Sequence, residues 1–217
     1  MDDIVIIGGG GHALSVIDTL ISENKYNIVG ILDINEKGSL WGIPYIGDDS
    51  NLQEVYDNGI PNVFIAIGGI GVSDKRVKVY NIVKEIGFNL PPIIDKTAQI
   101  GKGSCIAEGA FIGKGVVINA CSTIGKMSII NSAAVIEHEC RIGEFCHIAP
   151  GCKLGGSVKV GNFTHVGIGS TIIQGVNIGD KTLIGAGSVV VKDIGSYVKA
   201  YGNPCRKVGN IEYSNYC

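Results

Sequence analysis

The residues best suited to chemistry surround His138, which stands between two carboxylates in the run Glu137-His138-Glu139. An imidazole changes its protonation state near neutral pH, so it can take a proton from a nucleophile that attacks a carbonyl carbon. A carboxylate beside the ring can fix its tautomer and raise its basicity. The spacing alone does not choose between Glu137 and Glu139 for this role. The alternative is that His138 is a residue at a chain corner with no chemical task.

A second candidate site lies in the glycine run 8–11, which His12 follows. The run comes after an apolar segment and before a helical pattern, and with Ala13 it fits G-x-G-x-x-A, while Asp33 follows the next apolar segment. Free N–H groups at a helix start favour phosphate, and the acid favours a ribose or a base. A dinucleotide site needs two such halves, so the sequence favours a single nucleotide over NAD. A tight turn without a ligand is the alternative.

The elements that must position His138 repeat with a period of six. Every sixth residue from Ile100 to Val190 is aliphatic, and the fourth residue after each of them up to Ile184 is Ser, Thr, Ala, Cys or Val. An α-helix repeats every 3.6 residues and a strand every two, so neither explains the period. A short strand followed by a corner does, and this is the pattern of a hexapeptide β-helix. The aliphatic residue is expected to point inward, and the glycine that often follows it to permit the corner backbone.

Residues 1–92 lack this period and alternate between strand and helix patterns. This order predicts a small parallel βαβ sheet, an α/β Rossmann-like half-domain placed before the all-β repeat. The predicted strands are 3–7, 27–32 and 62–67, and the predicted helices are 13–22, 52–58 and 74–86.

Composition excludes several classes of protein. The 217 residues carry a net charge of −2, so we expect no basic surface for nucleic acid. No apolar run reaches the ~20 residues of a membrane span. The N-terminus opens with two acids and resembles no signal peptide, which predicts a cytoplasmic protein.

The cysteines follow the repeat and form no metal-binding pattern. Seven are present, none of them in a C-x-x-C pair, which argues against a zinc site or a secreted disulfide framework. Cys140, Cys146 and Cys152 fall at the small position of three hexapeptides, so we predict that they pack in the wall as small apolar residues.

The joined pattern resembles the hexapeptide-repeat sugar O- and N-acyltransferases of the sialic-acid and bacillosamine type. The resemblance covers about residues 3–209 and is carried by the glycine loop, strand ends at Leu32-Asp33 and Ala66-Ile67-Gly68, the hexapeptides, and the run VIEHEC at 135–140. It is closest to the bacillosamine-type nucleotide-4-amino-sugar N-acetyltransferases. It implies a left-handed parallel β-helix with three hexapeptides per coil, acetyl-CoA as co-substrate, no metal, and a homotrimer with its active sites between subunits.

The resemblance also implies the site residues. His138 is expected to be the general base and Glu139 its carboxylate. Gly156 lies one coil above His138, and we hypothesise that its N–H stabilises the oxyanion, a role worth roughly 3 kcal/mol in other acyl-transfer enzymes. The nucleotide-linked sugar is expected at Gly10, Gly11, His12, Asp33 and Gly68. Acetyl-CoA is expected at His147, at the main chain of Ile168 and Ala186, and at Arg206 or Lys207. His165 lies 18 residues after His147, so the two should stack on adjacent coils, and His165 is expected to shape the same cleft.

These expectations divide the chain into a nucleotide-sugar-binding domain (1–92), a β-helix that binds acetyl-CoA and carries the catalytic residues (93–203), and a C-terminal loop and tail (204–217). The predicted activity is acetylation of the 4-amino group of a UDP- or dTDP-linked 4-amino-4,6-dideoxy sugar for glycan or surface-polysaccharide synthesis. We predict direct attack without an acyl-enzyme. Ile34 stands where some members carry a second acid, so the base of the nucleotide stays open. The alternatives are O-acetylation of a sialic-acid-like sugar and a non-catalytic nucleotide-sugar-binding scaffold.

Overall fold

The structure is a computed structural model that describes residues 1–34, 38–69 and 74–211. Among these residues the chain forms two compact units, of which the first ends at Lys96 and the second begins at Thr97. The domain boundary predicted from the sequence lies between residues 92 and 93, and the division of labour between the units stays a prediction.

The first unit is an α/β domain on a mostly parallel sheet. Its elements are β1 (Asp2–Ile7), α1 (Gly11–Glu23), β2 (Tyr26–Leu32), β3 (Ser39–Leu40), β4 (Ile43–Gly47), a 3₁₀ turn (Asp49–Asn51), α2 (Leu52–Asp57), β5 (Asn62–Ile65), α3 (Asp74–Ile86) and β6 (Ile93–Ile94). The sheet order is β3-β4-β2-β1-β5, and only β3 runs antiparallel to its neighbour.

The apolar patterns place the core of this unit as predicted. Ile4–Ile7 of β1 are fully buried, because β1 is a central strand of a parallel sheet. Helix α1 buries Ala13, Val16, Ile17 and Leu20, a face with the spacing of an amphipathic helix. The Rossmann-like half-domain is therefore confirmed.

Two details of the first unit differ from the prediction. The third strand ends at Ile65 and not at residue 67, since the chain leaves the sheet into the Gly68 loop. The β3–β4 hairpin was not predicted, because β3 has two residues and its turn is built from Trp41 and Gly42, both at positive φ. Two-residue hairpin turns of this kind usually contain Asn-Gly or Asp-Gly, so the dipeptide Trp-Gly does not predict a turn.

The second unit is the predicted left-handed parallel β-helix. Its strands pair in parallel with strands 18 residues away, as Ile118 does with Ile136, so three hexapeptides complete one coil. The strands are β7 (Gln99–Ile100), β8 (Cys105–Ile106), β9 (Phe111–Ile112), β10 (Val117–Ile118), β11 (Thr123–Ile124), β12 (Ile129–Ile130), β13 (Val135–Ile136), β14 (Arg141–Ile142), β15 (His147–Ile148), β16 (Lys153–Leu154), β17 (Lys159–Val160), β18 (His165–Val166), β19 (Thr171–Ile172), β20 (Asn177–Ile178), β21 (Leu183–Ile184), β22 (Val189–Val190), β23 (Val198–Gly202) and β24 (Cys205–Asn210).

The two ends of the coil stack differ from its middle. The aliphatic positions from Ile112 to Val190 are at most 3% exposed, whereas Ile100 is 40% exposed in the first coil. At the other end, 205–210 form strand β24 and not the predicted loop. Strand β24 pairs with β23 because the last coil leaves an edge with unpaired N–H and C=O groups. Residues 212–217 of the predicted tail lie outside the described residues. None of the helices in the described part of the chain is long and apolar enough to cross a membrane.

The expected role of the repeat glycines is wrong. Where a glycine follows the aliphatic residue, its φ is not positive. The residue with positive φ comes two positions after the glycine position, as at Glu139 with φ 59°. What requires glycine is the close approach of the next coil. A Cβ on Gly125 would lie 2.5 Å from the carbonyl carbon of Gly143, and one on Gly155 would lie 2.6 Å from the N of Gln174.

The small positions form hydrogen-bonded ladders inside the wall. Ser122 Oγ donates to the carbonyl of Glu137 at 2.8 Å and accepts from the N–H of Cys140 at 3.0 Å. Cys140, Cys146 and Cys152 are fully buried, and their thiols donate to main-chain carbonyls at 3.0–3.2 Å. Their predicted place in the wall is confirmed.

The buried thiols predict a loss of stability in alkali. Burial raises the pKa of Cys152 from 9.0 to about 11. The unfolded chain therefore releases this proton first, and the free energy of unfolding should decrease as the pH rises from about 9 to about 11, by roughly 1–2 kcal/mol from this thiol. Urea titrations of the wild type and of Cys152→Ser should show this difference, because serine occupies the same wall position at Ser122 and does not ionise there. Equal pH dependence of the two proteins would contradict the prediction, and Cys105→Ser, at an exposed position, is the control.

Candidate active site

The His138 side chain lies on the corner that follows β13, paired with the carboxylate of Glu139. The distance from His138 Nδ1 to Glu139 Oε2 is 3.2 Å. Because a carboxylate only accepts hydrogen bonds, the ring carries its proton on Nδ1 and leaves the lone pair of Nε2 for a substrate. Among the described residues no hydrogen bond joins His138 to Glu137, so the geometry selects Glu139. The side chains of His138 and Glu139 are 60% and 65% exposed, which leaves the pair open to ligands.

Gly156 lies directly against the imidazole of His138, one coil above it. A Cβ on Gly156 would lie 2.6 Å from both Cε1 and Nε2 of the ring. The missing side chain therefore provides space for the imidazole itself. The carbonyl of Gly156 accepts from the N–H of Gly175, and none of the described residues accepts a hydrogen bond from the N–H of Gly156. The predicted oxyanion role of this N–H stays a prediction.

Ser157 belongs to the same cluster and was not predicted from the sequence. Its hydroxyl donates to Glu139 Oε2 at 3.3 Å, and its N–H donates to the carbonyl of His138 at 2.8 Å. The coil spacing that leads from His138 to Gly156 also leads from Glu139 to Ser157, so this signal was present in the sequence.

His147 and His165 stack on neighbouring coils as their spacing predicts. They are direct partners in β15 and β18, and their rings meet edge to face with centroids 4.8 Å apart. His147 is half-buried, whereas His165 is only 6% exposed. His147 is therefore the more accessible of the two rings, and His165 packs against it.

The hydrogen bonds of Asn131 define the tautomer of His147. The backbone N–H of Ser132 donates to Asn131 Oδ1 at 2.8 Å, which fixes the orientation of the amide. The amide nitrogen then faces His147 Nε2 at 3.3 Å. An amide NH₂ only donates, so Nε2 accepts and the neutral ring carries its proton on Nδ1. Sequence reasoning missed Asn131, because the contact joins two corners and does not follow the coil spacing.

The remaining predicted acetyl-CoA residues lie at the surface of the β-helix. Ile168 is 57% exposed, and its carbonyl accepts from the N–H of Gly187 at 2.8 Å. Ala186 is exposed one coil above. Arg206 is exposed in β24, and its Nη1 donates to the carbonyl of Cys205 at 3.0 Å.

The first unit brings the predicted nucleotide residues together at the carboxyl end of its sheet. The N–H of Gly9 donates to Asp33 Oδ2 at 2.8 Å. His12 lies in the first turn of α1, where its Cβ would be 3.1 Å from a Cβ on Gly68. Gly10 and Gly11 have open space where a side chain would be. One oxygen of Asp33 therefore accepts a hydrogen bond from the glycine loop.

Tyr45 joins this cluster and was not predicted. A Cβ on Gly9 would lie 2.7 Å from the hydroxyl oxygen of Tyr45, so the ring closes over the glycine loop. The hairpin that carries Tyr45 gave no sequence signal, and the contact was missed with it.

Comparison with known proteins gives matches for both units. A family model described as the PglD N-terminal domain matches residues 3–83. A histidine-to-asparagine variant of perosamine N-acetyltransferase from Caulobacter crescentus, solved with CoA and GDP-perosamine, is 37% identical with a TM-score of 0.91, over 97% of this chain and 98% of that one. The acetyltransferase domain of PglB from Neisseria gonorrhoeae, solved with acetyl coenzyme A, is 28% identical with a TM-score of 0.89, over 95% and 98%. WeeI from Acinetobacter baumannii shares the fold at 24% identity, with a TM-score of 0.81 over 96% and 100%.

Proposed function

The chain belongs to the family of hexapeptide-repeat sugar acetyltransferases, and on this premise we propose that it transfers the acetyl group of acetyl-CoA to the 4-amino group of a nucleotide-linked 4-amino-4,6-dideoxy sugar. The observation that carries the proposal is the His138–Glu139 pair beneath Gly156, with the lone pair of Nε2 directed away from the carboxylate.

The reaction needs two proton transfers and the exchange of a C–S bond for a C–N bond. The amine nitrogen attacks the thioester carbonyl carbon, and His138 Nε2 takes the N–H proton as the C–N bond forms. The C–S bond then breaks, and the CoA sulfur leaves and receives the proton from the imidazolium. Glu139 would stabilise the imidazolium through Nδ1, and the N–H of Gly156 would stabilise the oxyanion.

Acetyl-CoA would be held along the β-helix. The Nδ1–H of His147 would donate to the acyl end of the molecule, with His165 packed behind it. The main chain of Ile168 and Ala186 would pair with the amide groups of the pantetheine arm, and Arg206 would bind phosphate.

The nucleotide sugar would be held by the first unit. Gly10 and Gly11 leave space for a close approach to the start of α1, where N–H groups favour phosphate. Asp33 would accept a hydrogen bond from the ribose or base, with His12 and Gly68 closing the same edge of the sheet. Because perosamine N-acetyltransferase was solved with GDP-perosamine, GDP joins UDP and dTDP as a candidate nucleotide.

A homotrimer would complete this site, because His138 is 60% exposed in the single chain and a neighbouring copy would exclude water from it. The expected place is the cytoplasm, where acetyl-CoA and nucleotide sugars are available, and the product would serve glycan synthesis. Native mass spectrometry tests the trimer.

The activity is tested by mass spectrometry of a substrate panel incubated with acetyl-CoA. The panel contains GDP-, UDP- and dTDP-linked 4-amino-4,6-dideoxy sugars and free sialic acid. We expect one acetyl group on a 4-amino sugar. Acetylation of sialic acid alone would favour the O-acetyltransferase, and acetyl-CoA binding without any product would favour the scaffold.

We expect Asn131→Asp to raise the dissociation constant of acetyl-CoA by about 10-fold. The new carboxylate accepts where the amide donated, so His147 must carry a proton on Nε2, and the neutral ring then no longer carries one on Nδ1. Calorimetry measures the affinity, and ¹⁵N chemical shifts of the ring report the tautomer. Asn119→Asp is the matched control, since Asn119 occupies the same place in its own hexapeptide. An unchanged affinity with an inverted tautomer would remove His147 from the acetyl-CoA site.

A further inference from the structure

We infer that Ser157 is a positioning residue that holds the Glu139 carboxylate against His138, an inference that rests on the proposed function. The Ser157 hydroxyl donates to Glu139 Oε2 at 3.3 Å, and this is the oxygen that faces His138 Nδ1 at 3.2 Å. The three side chains form one chain of hydrogen bonds that ends at the base.

Glu139 needs such an anchor because its environment does little to fix it. Its side chain is 65% exposed, and the imidazole it contacts is 60% exposed. A glutamate with this freedom loses rotamer entropy when it is held in one geometry. Ser157 itself is fixed by the coil, because its N–H donates to the carbonyl of His138 at 2.8 Å. The Ser157 hydroxyl is therefore a donor on a fixed backbone that contacts an exposed carboxylate.

The fold alone does not favour serine at this position. Ser157 has φ 59°, in the left-handed region where glycine and asparagine are tolerated best. The equivalent corner is glycine in some hexapeptides, as at Gly151 and Gly175, and another residue in others, as at Phe163. Because many of these corners carry residues other than glycine, what distinguishes Ser157 is that its hydroxyl reaches the partner of the base.

Two variants separate positioning from stability. Ser157→Gly removes the hydroxyl and relaxes the backbone, so we expect equal or greater thermal stability with a kcat about 5- to 10-fold lower. Ser157→Asn keeps an N–H donor in a residue that accepts positive φ, so we expect it to restore most of kcat. The KM values for acetyl-CoA and for the sugar should not change, because Ser157 acts through Glu139.

A double-mutant cycle with Glu139→Ala completes the test, with kcat measured on the nucleotide 4-amino sugar that the wild type acetylates. Ser157→Gly should cause no further loss once Glu139 is absent. Additive losses, an unchanged kcat in Ser157→Gly, or a raised KM would each overturn the inference. A wild type that acetylates no sugar in the panel would instead overturn the proposed function, and the inference with it.

Discussion

Replacement of His138 by alanine should lower kcat by about 10²–10⁴-fold, the usual contribution of general acid–base catalysis. Nε2 of the ring has a lone pair that can accept a proton, since Nδ1 donates its hydrogen bond to Glu139. Acetyl-CoA and the nucleotide sugar should still bind, because neither is proposed to depend on this ring for affinity. The measurement is steady-state kinetics with both substrates, followed by addition of free imidazole, which should restore part of the lost rate.

The two neighbouring glutamates provide the control for this prediction. Glu139→Gln removes the charge that stabilises the imidazolium and should lower kcat, whereas Glu137→Gln should leave it unchanged. Full activity of His138→Ala would show that the base lies elsewhere. A greater loss from Glu137→Gln than from Glu139→Gln would show that the pairing in the structure is not the catalytic one.

Gly156→Ala should reduce kcat by about 10²–10³-fold with little change in stability. Its Cβ would lie 2.6 Å from Cε1 and Nε2 of His138, and contacts under 3.0 Å do not persist. The exposed imidazole can rotate away at little energetic cost, so the fold is retained. The enzyme then loses the position of the base and any hydrogen bond from the Gly156 N–H to the oxyanion.

Gly155→Ala is the matched comparison for this variant. A Cβ on Gly155 would meet the backbone N of Gln174 at 2.6 Å, and backbone cannot move aside. The Gly155 variant should therefore lose thermal stability, while the Gly156 variant loses turnover. Unchanged turnover and unchanged acetyl-CoA affinity in Gly156→Ala would exclude both roles assigned to this residue.

The hexapeptide repeat made most of the fold predictable, because the requirement for an aliphatic residue at each inward position is local and strict. An inward position that faces other aliphatic side chains accepts no polar residue, so the period from Ile112 to Val190 could be followed directly in the sequence. The glycine loop and the flanking apolar segments predicted the first unit for the same reason. The β3–β4 hairpin was missed, because Trp41 at positive φ is the opposite of a turn signal.

The candidate site was predictable only where it follows the coil spacing. That spacing correctly places Gly156 above His138, and the same spacing places Ser157 above Glu139. Asn131 and Tyr45 approach from other corners or other strands, and their contacts depend on side-chain directions that a linear pattern does not contain. Spacing alone could not choose between Glu137 and Glu139, since both are adjacent to His138 in the chain; the family resemblance implied Glu139, and the hydrogen bond to His138 agrees with it.

Direct transfer, without an acyl-enzyme, agrees with the burial of the three cysteines in the wall of the β-helix. Cys140, Cys146 and Cys152 face the interior of the β-helix and are fully buried. Cys121 is exposed one coil below Glu139, so an acyl-enzyme near the base would form on this thiol.

The most direct test follows the masses of the protein and the sugar in one reaction sample. We predict that a nucleotide-linked 4-amino sugar gains a single acetyl group only when enzyme and acetyl-CoA are both present, and that the mass of the protein never changes. Acetylated protein, on Cys121 or any other residue, or an acetyl group found on a sugar hydroxyl with the amine left free, would contradict the account.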